Sequence, residues 1–304
     1  MEYVITTDKL TKKFGKKAAA LDVDIRVREG EIYGLIGRNG AGKTTVLRML
    51  SGLARPTSGS YTLFGKEGFE ARKQMENVGV LIEAPGIYPK LNAYDNLKIK
   101  CLSMGLDKKG YIEGLLELVG LANVGKLHVG RFSLGMRQRL GIALALVGEP
   151  KLIILDEPIN GLDPQGIVDV RNLLEYLRDT KKITIMISSH ILEELGKIAD
   201  SYGIIHNGEL IDEFNKEEIL HRSGVFTLVD TDDNKKAIEL IKPMGFEKLE
   251  LDHEGLIRIG QELDKSKDVV KLLVEKGLFV KEVKLSSFSL EDYYLKVTGG
   301  VQND

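Results

Sequence analysis

Short apolar runs separated by charged turns fill the first 60 residues. The segments EYVITTDKLTKKFG, ALDVDIRVREG and EIYGLIG have the length and patterning of strands, and the second alternates apolar and polar positions. A helix is predicted over TTVLRMLSGL, ending at Gly52 and Pro56. The pattern therefore predicts strands whose last member leads directly into a helix.

Three further apolar runs have the length of buried strands: VGVLIE at 78–83, KLIILDEP at 151–158 and KITIMISSH at 182–190. Helical spacing in IVDVRNLLEYLRDT separates the last two, so strand, helix and strand alternate. This alternation predicts an α/β fold with a largely parallel sheet covered by helices.

A second, smaller domain is predicted at the C-terminal end. The segment SYGIIHNGELIDE reads as a hairpin turning at Asn207-Gly208, and the polar stretch 214–223 that follows reads as a linker. From residue 224 the order is strand, helix, two strands, helix and strand, followed by a last helix. We therefore expect a domain over 1–213, a linker over 214–223 and a small α+β domain of ferredoxin-like layout over 224–304.

Composition limits the possible partners and location. Lys and Arg number 43 against 45 Asp and Glu, so the net charge of −2 offers no basic field and no nucleic-acid partner is expected. The single cysteine, Cys101, excludes an intramolecular disulfide framework and suits a reducing compartment. No apolar signal region opens the sequence, and no run approaches the roughly 20 apolar residues of a membrane span. We expect a cytoplasmic chain whose membrane role, if it has one, requires a partner.

The stretch GRNGAGKTT, residues 37–45, matches the phosphate-binding pattern G-x-x-x-x-G-K-[ST] between a predicted strand and a predicted helix. Backbone N–H groups of such a loop surround phosphate oxygens, and the helix N-terminus adds a favourable dipole. Lys43 is expected to reach the β- and γ-phosphates, Thr44 to bind Mg²⁺ and Thr45 to contact the α-phosphate. The predicted nucleotide-binding residues of the loop are Gly37, Asn39, Gly40, Ala41, Gly42, Lys43, Thr44 and Thr45. Kinases, GTPases, and motor or transporter ATPases all use such a loop.

Acidic residues at the end of KLIILDEP point to hydrolysis. An apolar strand delivers Asp156 and Glu157 to its carboxyl end, where ligands of open α/β sheets bind. Asp156 could hold Mg²⁺ and Glu157 could polarise an attacking water. His190, at the end of the next strand, could hydrogen-bond the γ-phosphate and that water, although position alone leaves a structural role equally open.

The ordered motifs GRNGAGKTT, FSLGMRQRL, IILDEP, NGLD and SSH resemble the ATP-binding cassette (ABC) family, over roughly residues 3–213. The resemblance implies a cassette with a helical subdomain, acting as the ATP-hydrolysing subunit of an ABC transporter. It also implies a head-to-tail dimer, a homodimer in the simplest case, in which Ser133 and Gly135 of one subunit contact the γ-phosphate held by the other. Leu134 and Met136 depart from the glycine and glutamine common in this motif. From the residues alone, SLGMRQRL reads only as an N-capped amphipathic helix.

Two further positions are implied by the resemblance. Phe14 occupies the place of an aromatic that stacks on adenine, although a buried structural Phe is an open alternative. Glu83 stands where glutamine usually faces Mg²⁺ and the attacking water, and a carboxylate could both bind Mg²⁺ and accept a proton. Subunits that export bacitracin and lantibiotic-type peptides, or confer resistance to them, look similar here. Glu83 could equally replace glutamine in a transporter of any substrate.

The partner implied by the resemblance is a separate polytopic membrane permease, which would hold this chain on the inner face of the membrane. Tyr88 and Tyr94 either form that contact or pack within the helical subdomain. The competing hypotheses are an ABC ATPase acting on ribosomes or DNA and a nucleotide-dependent regulator. Fused double cassettes and long coiled-coil insertions, typical of the former, are absent from the sequence, and the acids at 156 and 157 argue against the latter.

Overall fold

The computed structural model describes residues 2–218, 225–246, 248–252, 255–260, 266–287 and 290–299. The chain forms two compact units that divide between Asn215 and Lys216. The last strand of the first unit ends at Asn215 and residues 216–218 form a helical turn, so the division falls inside the range 214–223 predicted as a linker. Positions 219–223 of that range lie outside the described residues.

The N-terminal unit contains two sheets and the helices that cover them. Its strands are β1 (Tyr3–Phe14), β2 (Lys17–Val23), β3 (Arg26–Arg28), β4 (Ile32–Ile36), β5 (Ser58–Leu63), β6 (Lys66–Glu67), β7 (Val78–Leu81), β8 (Leu152–Asp156), β9 (Thr184–Ser189), β10 (Ser201–His206) and β11 (Glu209–Asn215). Its α-helices are α1 (Lys43–Leu50), α2 (Gly68–Lys73), α3 (Ala93–Ser103), α4 (Tyr111–Leu118), α5 (Leu134–Leu146), α6 (Pro164–Asp179) and α7 (Leu192–Ile198).

The larger sheet has the strand order β11-β10-β4-β9-β8-β7. Neighbours from β10 to β7 pair in parallel, and β11 pairs antiparallel with β10. Every residue of β4, β8 and β9 is buried, which explains why these strands read as continuous apolar runs rather than as alternating ones. The predicted largely parallel sheet is confirmed.

The carboxyl ends of the central strands position the site. Strands β4, β8 and β9 end at Ile36, Asp156 and Ser189, and they are adjacent and parallel in the sheet. The segments that follow them therefore emerge at one edge: the glycine-rich loop, Glu157 and His190. This is where ligands bind in open α/β sheets.

A smaller antiparallel sheet packs beside the first. Its order is β2-β1-β5-β6, with β3 also paired to β1. Helix α1 supplies Val46, Leu47, Met49 and Leu50 to a core that includes buried residues of β1, β2 and β4, so the helix carrying the phosphate-binding loop is anchored on several sides.

Helices α3, α4 and α5 lie between β7 and β8 in the sequence and form the helical subdomain that the resemblance implies. The pattern analysis identified α5 but not α3. Helix α3 buries only Ala93, Asn96, Leu97 and Cys101, a narrow stripe among charged residues. Asn92 caps this helix, because its side chain accepts a hydrogen bond from Asp95 N at 2.8 Å.

The C-terminal unit has one antiparallel sheet in the order β13-β14-β12-β15. Its elements are β12 (Val225–Thr231), α8 (Asn234–Ile241), β13 (Leu249–Leu251), β14 (Ile257–Gly260), α9 (Ser266–Glu275), β15 (Val280–Ser287) and α10 (Leu290–Val297). Its core joins Val229 and Ile257 of the sheet to Ile241 of α8 and Leu273 of α9. Within the described residues, the order of elements is the predicted β-α-β-β-α-β series.

Candidate functional site

The glycine-rich loop joins β4 to α1 in a conformation that its glycines make possible. Gly42 has φ +113°, and a Cβ there would lie 2.5 Å from Ala19 O. A Cβ on Gly37 would lie 2.5 Å from Ile205 O, whereas Gly40, at φ +82°, has open space around it. Gly37 and Gly42 have no room for a Cβ, and Gly40 and Gly42 have a left-handed backbone. Larger residues would therefore be disfavoured at these three positions.

Lys43 begins α1 and is only 5% exposed. Its Nζ donates to Gly37 O at 2.5 Å and lies 3.1 Å from Glu157 Oε1. A buried ammonium of this kind requires such partners, because an unpaired charge in the interior is strongly disfavoured. Lys43 is therefore fixed against the loop and next to Glu157, the residue predicted from the sequence to polarise the attacking water.

Thr44 and Asp156 are brought together from α1 and β8. The Thr44 hydroxyl donates to Asp156 Oδ2 at 2.8 Å, and the Ser188 hydroxyl donates to Asp156 Oδ1 at 2.5 Å. Ser188 Oγ also accepts from Glu157 N at 3.1 Å. Sequence analysis missed Ser188, although its position in SSH, one strand away from the acids, was the available signal.

Glu157 connects the lysine to the histidine. Its Oε2 lies 2.8 Å from His190 Nδ1 and 3.4 Å from His190 N, which donates to it. Its Oε1 is buried and has no hydrogen-bond partner beyond the ionic contact with Lys43. Glu157 also has φ +50°, a backbone conformation uncommon for residues other than glycine and often found at functional positions.

A cavity of about 510 Å³ lies in front of the loop. Phe14, 59% exposed, stands at its rim, so the alternative of a buried structural Phe is wrong. The predicted residues that line it are Phe14, Asn39, Gly40, Gly42, Lys43, Thr44, Thr45 and Glu157. Gly37 and Ala41 lie in the loop but do not line the cavity. Asp156 and His190 do not line it either, but they contact Thr44 and Glu157, which do.

Six further residues line the cavity and were not predicted from the sequence as part of the site. They are Lys17, Ala18, Ala19, Arg38, Asn207 and Gly208. Gly208 N donates to Ala41 O at 2.9 Å, and Gly208 O accepts from Leu21 N at 2.8 Å. The Asn207-Gly208 turn was predicted, but only its tertiary contacts show that it joins the phosphate-binding loop to β2.

Glu83 is not brought to this cavity. It follows β7, is 61% exposed and accepts a hydrogen bond from Arg48 Nη2 at 2.6 Å. Arg48 belongs to α1, on the same helix as Thr44. Glu83, which the resemblance implies for Mg²⁺ binding, is thus paired with the guanidinium of Arg48 in this structure.

Ser133 and Gly135 also lie apart from the cavity within one chain. Ser133 caps α5, accepting from Met136 N at 3.2 Å, and it is exposed. Leu134, which stands in the place of a common glycine, is 43% exposed and approaches Gly161 of the NGLD segment. The predicted N-capped helix is confirmed, and its exposed N-terminus is free to face another molecule as far as the described residues of this chain are concerned.

The donors around the loop fit Mg²⁺. The hydroxyl of Thr44 and the carboxylate of Asp156 are the hard oxygen donors that Mg²⁺ prefers, and Mg²⁺ is commonly bound by one or two protein groups together with substrate phosphates. No cluster of three or more His, Cys, Asp or Glu with metal-binding geometry occurs in the part of the chain that the structure describes. The site therefore fits a metal that arrives with a nucleotide.

Cavity volume alone would not identify this site. A larger cavity, of about 1150 Å³, is lined by residues of α4, α5 and α6, among them Tyr111 and Tyr176. It contains none of the predicted site residues. The chemistry at the carboxyl edge of the sheet distinguishes the smaller cavity from the larger one.

Comparison with known proteins identifies the family. A family profile described as ABC transporter matches residues 21–160. The chain is 43% identical over 302 residues to the bacitracin transport ATP-binding protein BcrA of Bacillus licheniformis, covering 99% of both chains. It is 44% identical over 223 residues to the lantibiotic transport ATP-binding protein SrtF of Streptococcus pyogenes, covering 71% of this chain and 96% of that one.

A solved structure gives the same result. The ADP conformation of an ATP-binding cassette of an ABC transporter matches with a TM-score of 0.65 at 25% identity, over 72% of this chain and 93% of that one. Across the described residues, no helix has the length and apolarity to cross a membrane. The chain belongs to the ATP-binding subunits of the ABC transporter family, and it is an ATPase whose activity is coupled to transport.

Proposed function

We propose that the cavity at the sheet edge binds ATP with Mg²⁺ and that Glu157 is the group that activates water for hydrolysis. The observation that supports this most directly is the double engagement of Glu157, whose Oε1 lies 3.1 Å from Lys43 Nζ and whose Oε2 lies 2.8 Å from His190 Nδ1. These two contacts fix the orientation of the Glu157 carboxylate next to the phosphate-binding loop, where it can polarise an attacking water. Positioning of this kind is the main requirement of phosphoryl transfer.

Each residue then has a defined role. The backbone of the glycine-rich loop and Lys43 bind the phosphates, and Phe14 stacks on the base. Thr44 and Asp156 hold Mg²⁺, which when bound neutralises charge on the phosphoryl group. Glu157 polarises water, and His190, fixed through Nδ1, offers Nε2 to the γ-phosphate. Ser188 positions Asp156 and Glu157 through its hydroxyl.

The test is Mg²⁺-dependent ATP hydrolysis by purified protein with an independent measurement of ATP binding. Glu157→Gln should lower kcat about 10²- to 10⁴-fold while ATP still binds, because only the general base is removed. Lys43→Ala should lose ATP binding itself. Glu149→Gln, a surface acid with a 70% exposed side chain, is the matched control and should hydrolyse ATP normally. Unchanged hydrolysis in Glu157→Gln would exclude this assignment.

The hydrolytic site is completed by a second copy of the chain in a head-to-tail dimer. Ser133, at the N-terminus of α5, is exposed and apart from the cavity of its own chain, as a group acting on the partner's nucleotide would be. A Ser133→Arg substitution in the Glu157→Gln background should bind ATP but fail to tighten the dimer when ATP is added. Ser103→Arg, at the exposed end of α3, is the control; equal ATP-dependent dimerisation in both variants would contradict the proposal.

The transported substrate is an antimicrobial peptide of the bacitracin or lantibiotic type, exported through a separate polytopic permease on whose inner face this chain sits. Relatives named for transport of these peptides support this, one of them 43% identical across 99% of both chains. Tyr88, 55% exposed after β7, and Tyr94, 37% exposed in α3, are available for the permease contact. The exposure of both side chains supports this contact.

Two experiments test this part. Expression of the chain with its permease in a peptide-sensitive bacterium should raise the minimal inhibitory concentration of bacitracin or a lantibiotic, and Glu157→Gln should abolish the increase. Capture of Glu157→Gln with ATP and Mg²⁺, followed by mass spectrometry, should recover a polytopic protein. Unchanged sensitivity to every peptide of both classes would exclude the substrate, and recovery of ribosomal or DNA-bound proteins alone would exclude the transporter partner.

The C-terminal unit is best described as a ferredoxin-like domain. The observed sheet order β13-β14-β12-β15, with α8 and α9 packed against it, supports this layout. Solution structure determination of the complete protein would test it.

A further inference from the structure

The C-terminal sheet ends in a long strand with one neighbour. Strand β15 contains eight residues and, among the described strands, pairs only with β12. The opposite edge strand, β13, contains only three residues. A long edge presents a row of backbone N–H and C=O groups that can pair with another strand, whereas a very short edge does not.

Apolar side chains are exposed along this edge. Val283 is 38% exposed, although its cross-strand partner Val229 is 1% exposed. Phe279, directly before the strand, is 70% exposed, and Val274 at the end of α9 is 58% exposed. Val283 therefore gives the edge strand a partly exposed apolar side chain, which a further strand would cover.

The charges that flank Val283 are of opposite sign. Glu282 and Lys284 lie on the sheet face opposite to Val283, half exposed, with Lys284 Nζ 3.2 Å from Glu282 Oε2. Lys281 is already engaged, since its Nζ lies 3.5 Å from Asp230 Oδ2. Charged residues often protect edge strands from pairing. Here the two charges have opposite signs, so a second strand with the reverse order of charges can match both of them.

The order Glu, Val, Lys is complementary to itself when reversed. In an antiparallel pair of two β15 strands centred on Val283, Glu282 of each copy lies opposite Lys284 of the other, on both sides of the two-fold axis. Val283 then lies opposite Val283. An in-register parallel pair would instead place like charges side by side, which is unfavourable. The sequence of this edge therefore favours an antiparallel pair of two copies over a parallel one.

We propose that β15 pairs antiparallel with β15 of a second copy of this chain about Val283, so that the two C-terminal sheets form one continuous sheet. The resulting contact is isologous, because the same residues lie on both sides of the axis. It requires neither ATP nor the proposed hydrolytic residues. Its effect is to keep two cassettes tethered while their nucleotide sites open and close, which raises the effective concentration of one for the other.

Disulfide trapping of the full-length chain tests the register. Directly opposite residues in an antiparallel pair have Cα atoms about 4.5–5.5 Å apart, within the range that a disulfide spans. Val283→Cys should therefore form a covalent dimer under mild oxidation without nucleotide and with EDTA present. Leu251→Cys is the matched control: Leu251 is 37% exposed and lies on the opposite edge strand β13. The native Cys101 is buried, and the unsubstituted chain controls for it.

The outcomes separate the proposal from its alternatives. Rapid cross-linking of Val283→Cys with little cross-linking of Leu251→Cys supports it. Equal rates in both variants would indicate random collision, and no cross-linking of Val283→Cys would show that the strands do not meet; either result overturns the proposal. Circular dichroism confirms that each variant is folded before it is scored.

Charge reversal tests the pairing independently. Glu282→Lys and Lys284→Glu should each weaken the nucleotide-free dimer about 2- to 30-fold in sedimentation equilibrium, because each dimer contains two copies of the pair. The double substitution Glu282→Lys with Lys284→Glu restores complementarity and should recover the dimer. Additive losses in the double variant would overturn the register. The β15 residues do not line the nucleotide cavity, so normal ATP binding by each variant separates this result from a failure of the proposed ATP site.

Discussion

Arg48 of α1 donates to the Glu83 carboxylate across 2.6 Å, linking the helix of the phosphate-binding loop to the segment after β7. Glu83 is held at φ +62°, in the left-handed region. The side chains of Arg48 and Glu83 are 41% and 61% exposed, so the pair contributes under about 1 kcal/mol to the free energy of unfolding. The ion pair matters because it holds the Glu83 carboxylate away from the nucleotide cavity.

Release of Glu83 should change the Mg²⁺ requirement. We expect Arg48→Gln to lower the Mg²⁺ concentration that gives half-maximal ATP hydrolysis, because Glu83 is then free to approach the metal. Glu83→Gln should leave this concentration close to that of the unsubstituted chain, because Arg48 already holds the Glu83 carboxylate away from the metal. The measurement is a Mg²⁺ titration of hydrolysis together with Mg²⁺-dependent nucleotide binding.

The control is the same Arg48→Gln substitution in a Glu83→Gln background. Removal of a nearby positive charge favours any cation, so some increase in Mg²⁺ affinity could come from the field alone. A shift of equal size in both backgrounds would show that Glu83 plays no part. Lys73→Gln, which breaks the exposed pair with Glu70, should leave the Mg²⁺ requirement unchanged.

Ser188 should matter more for hydrolysis than its equally buried neighbour. Ser188→Ala removes the donor to Asp156 Oδ1 and the acceptor for Glu157 N, so we expect a fall of about 10- to 100-fold in Mg²⁺ affinity or kcat. Ser189→Ala removes only an acceptor for Ile191 N and should hydrolyse ATP at a near-normal rate. Steady-state kinetics over a range of Mg²⁺ concentrations measures both. Equal losses in the two variants would mean that Ser188 acts only through folding.

Gly42 should not tolerate a side chain. Gly42→Ala places a Cβ 2.5 Å from Ala19 O at a left-handed φ, so we expect loss of ATP binding, measured by isothermal titration, and lowered stability. Gly30 has φ +77° and nothing within 4 Å of the added Cβ. Gly30→Ala therefore costs only the backbone strain, about 1–2 kcal/mol, and should bind ATP normally. ATP binding by Gly42→Ala at the native affinity would contradict the close packing of the loop.

A half-buried acid away from the site should affect the pH dependence of stability. Burial raises the pKa of Glu213, while hydrogen bonds from Arg26 N and the Tyr33 hydroxyl act in the opposite direction. An acid with a raised pKa binds more protons in the folded state than in the unfolded state. Its contribution to stability is therefore greatest below its ordinary pKa of 4.5 and falls as the pH rises through the folded-state pKa.

Glu213→Gln keeps an acceptor for both donors and cannot ionise. We expect its free energy of unfolding, relative to the unsubstituted chain, to increase as the pH rises above about 4.5. Urea unfolding from pH 4.5 to 8 measures this difference. Glu209→Gln, an exposed acid on the same strand, is the control. A constant or decreasing difference for Glu213→Gln would show that burial does not raise this pKa.

The sequence by itself determined the central part of the fold and most of the site's chemistry. Strands β4, β8 and β9 are buried on both faces, and burial of this kind leaves a continuous apolar run that can be read directly. The spacing of Gly42, Lys43 and Thr44 is equally local, because a phosphate-binding turn needs those residue types in that order. Asp156 and Glu157 follow from the end of a predicted strand.

Only the tertiary structure decided which side chains meet. Ser188 lies on another strand from Asp156 and Glu157, and the strand order that makes β8 and β9 neighbours brings it to them. The Asn207-Gly208 turn reaches the loop from 166 residues away along the chain, from Ala41 to Asn207. Glu83 is a case in which the resemblance implied a metal ligand, whereas the folded structure pairs the carboxylate with Arg48. Local patterns are fixed by periodicity and turn chemistry, whereas such contacts depend on sheet order and packing, which no short segment encodes.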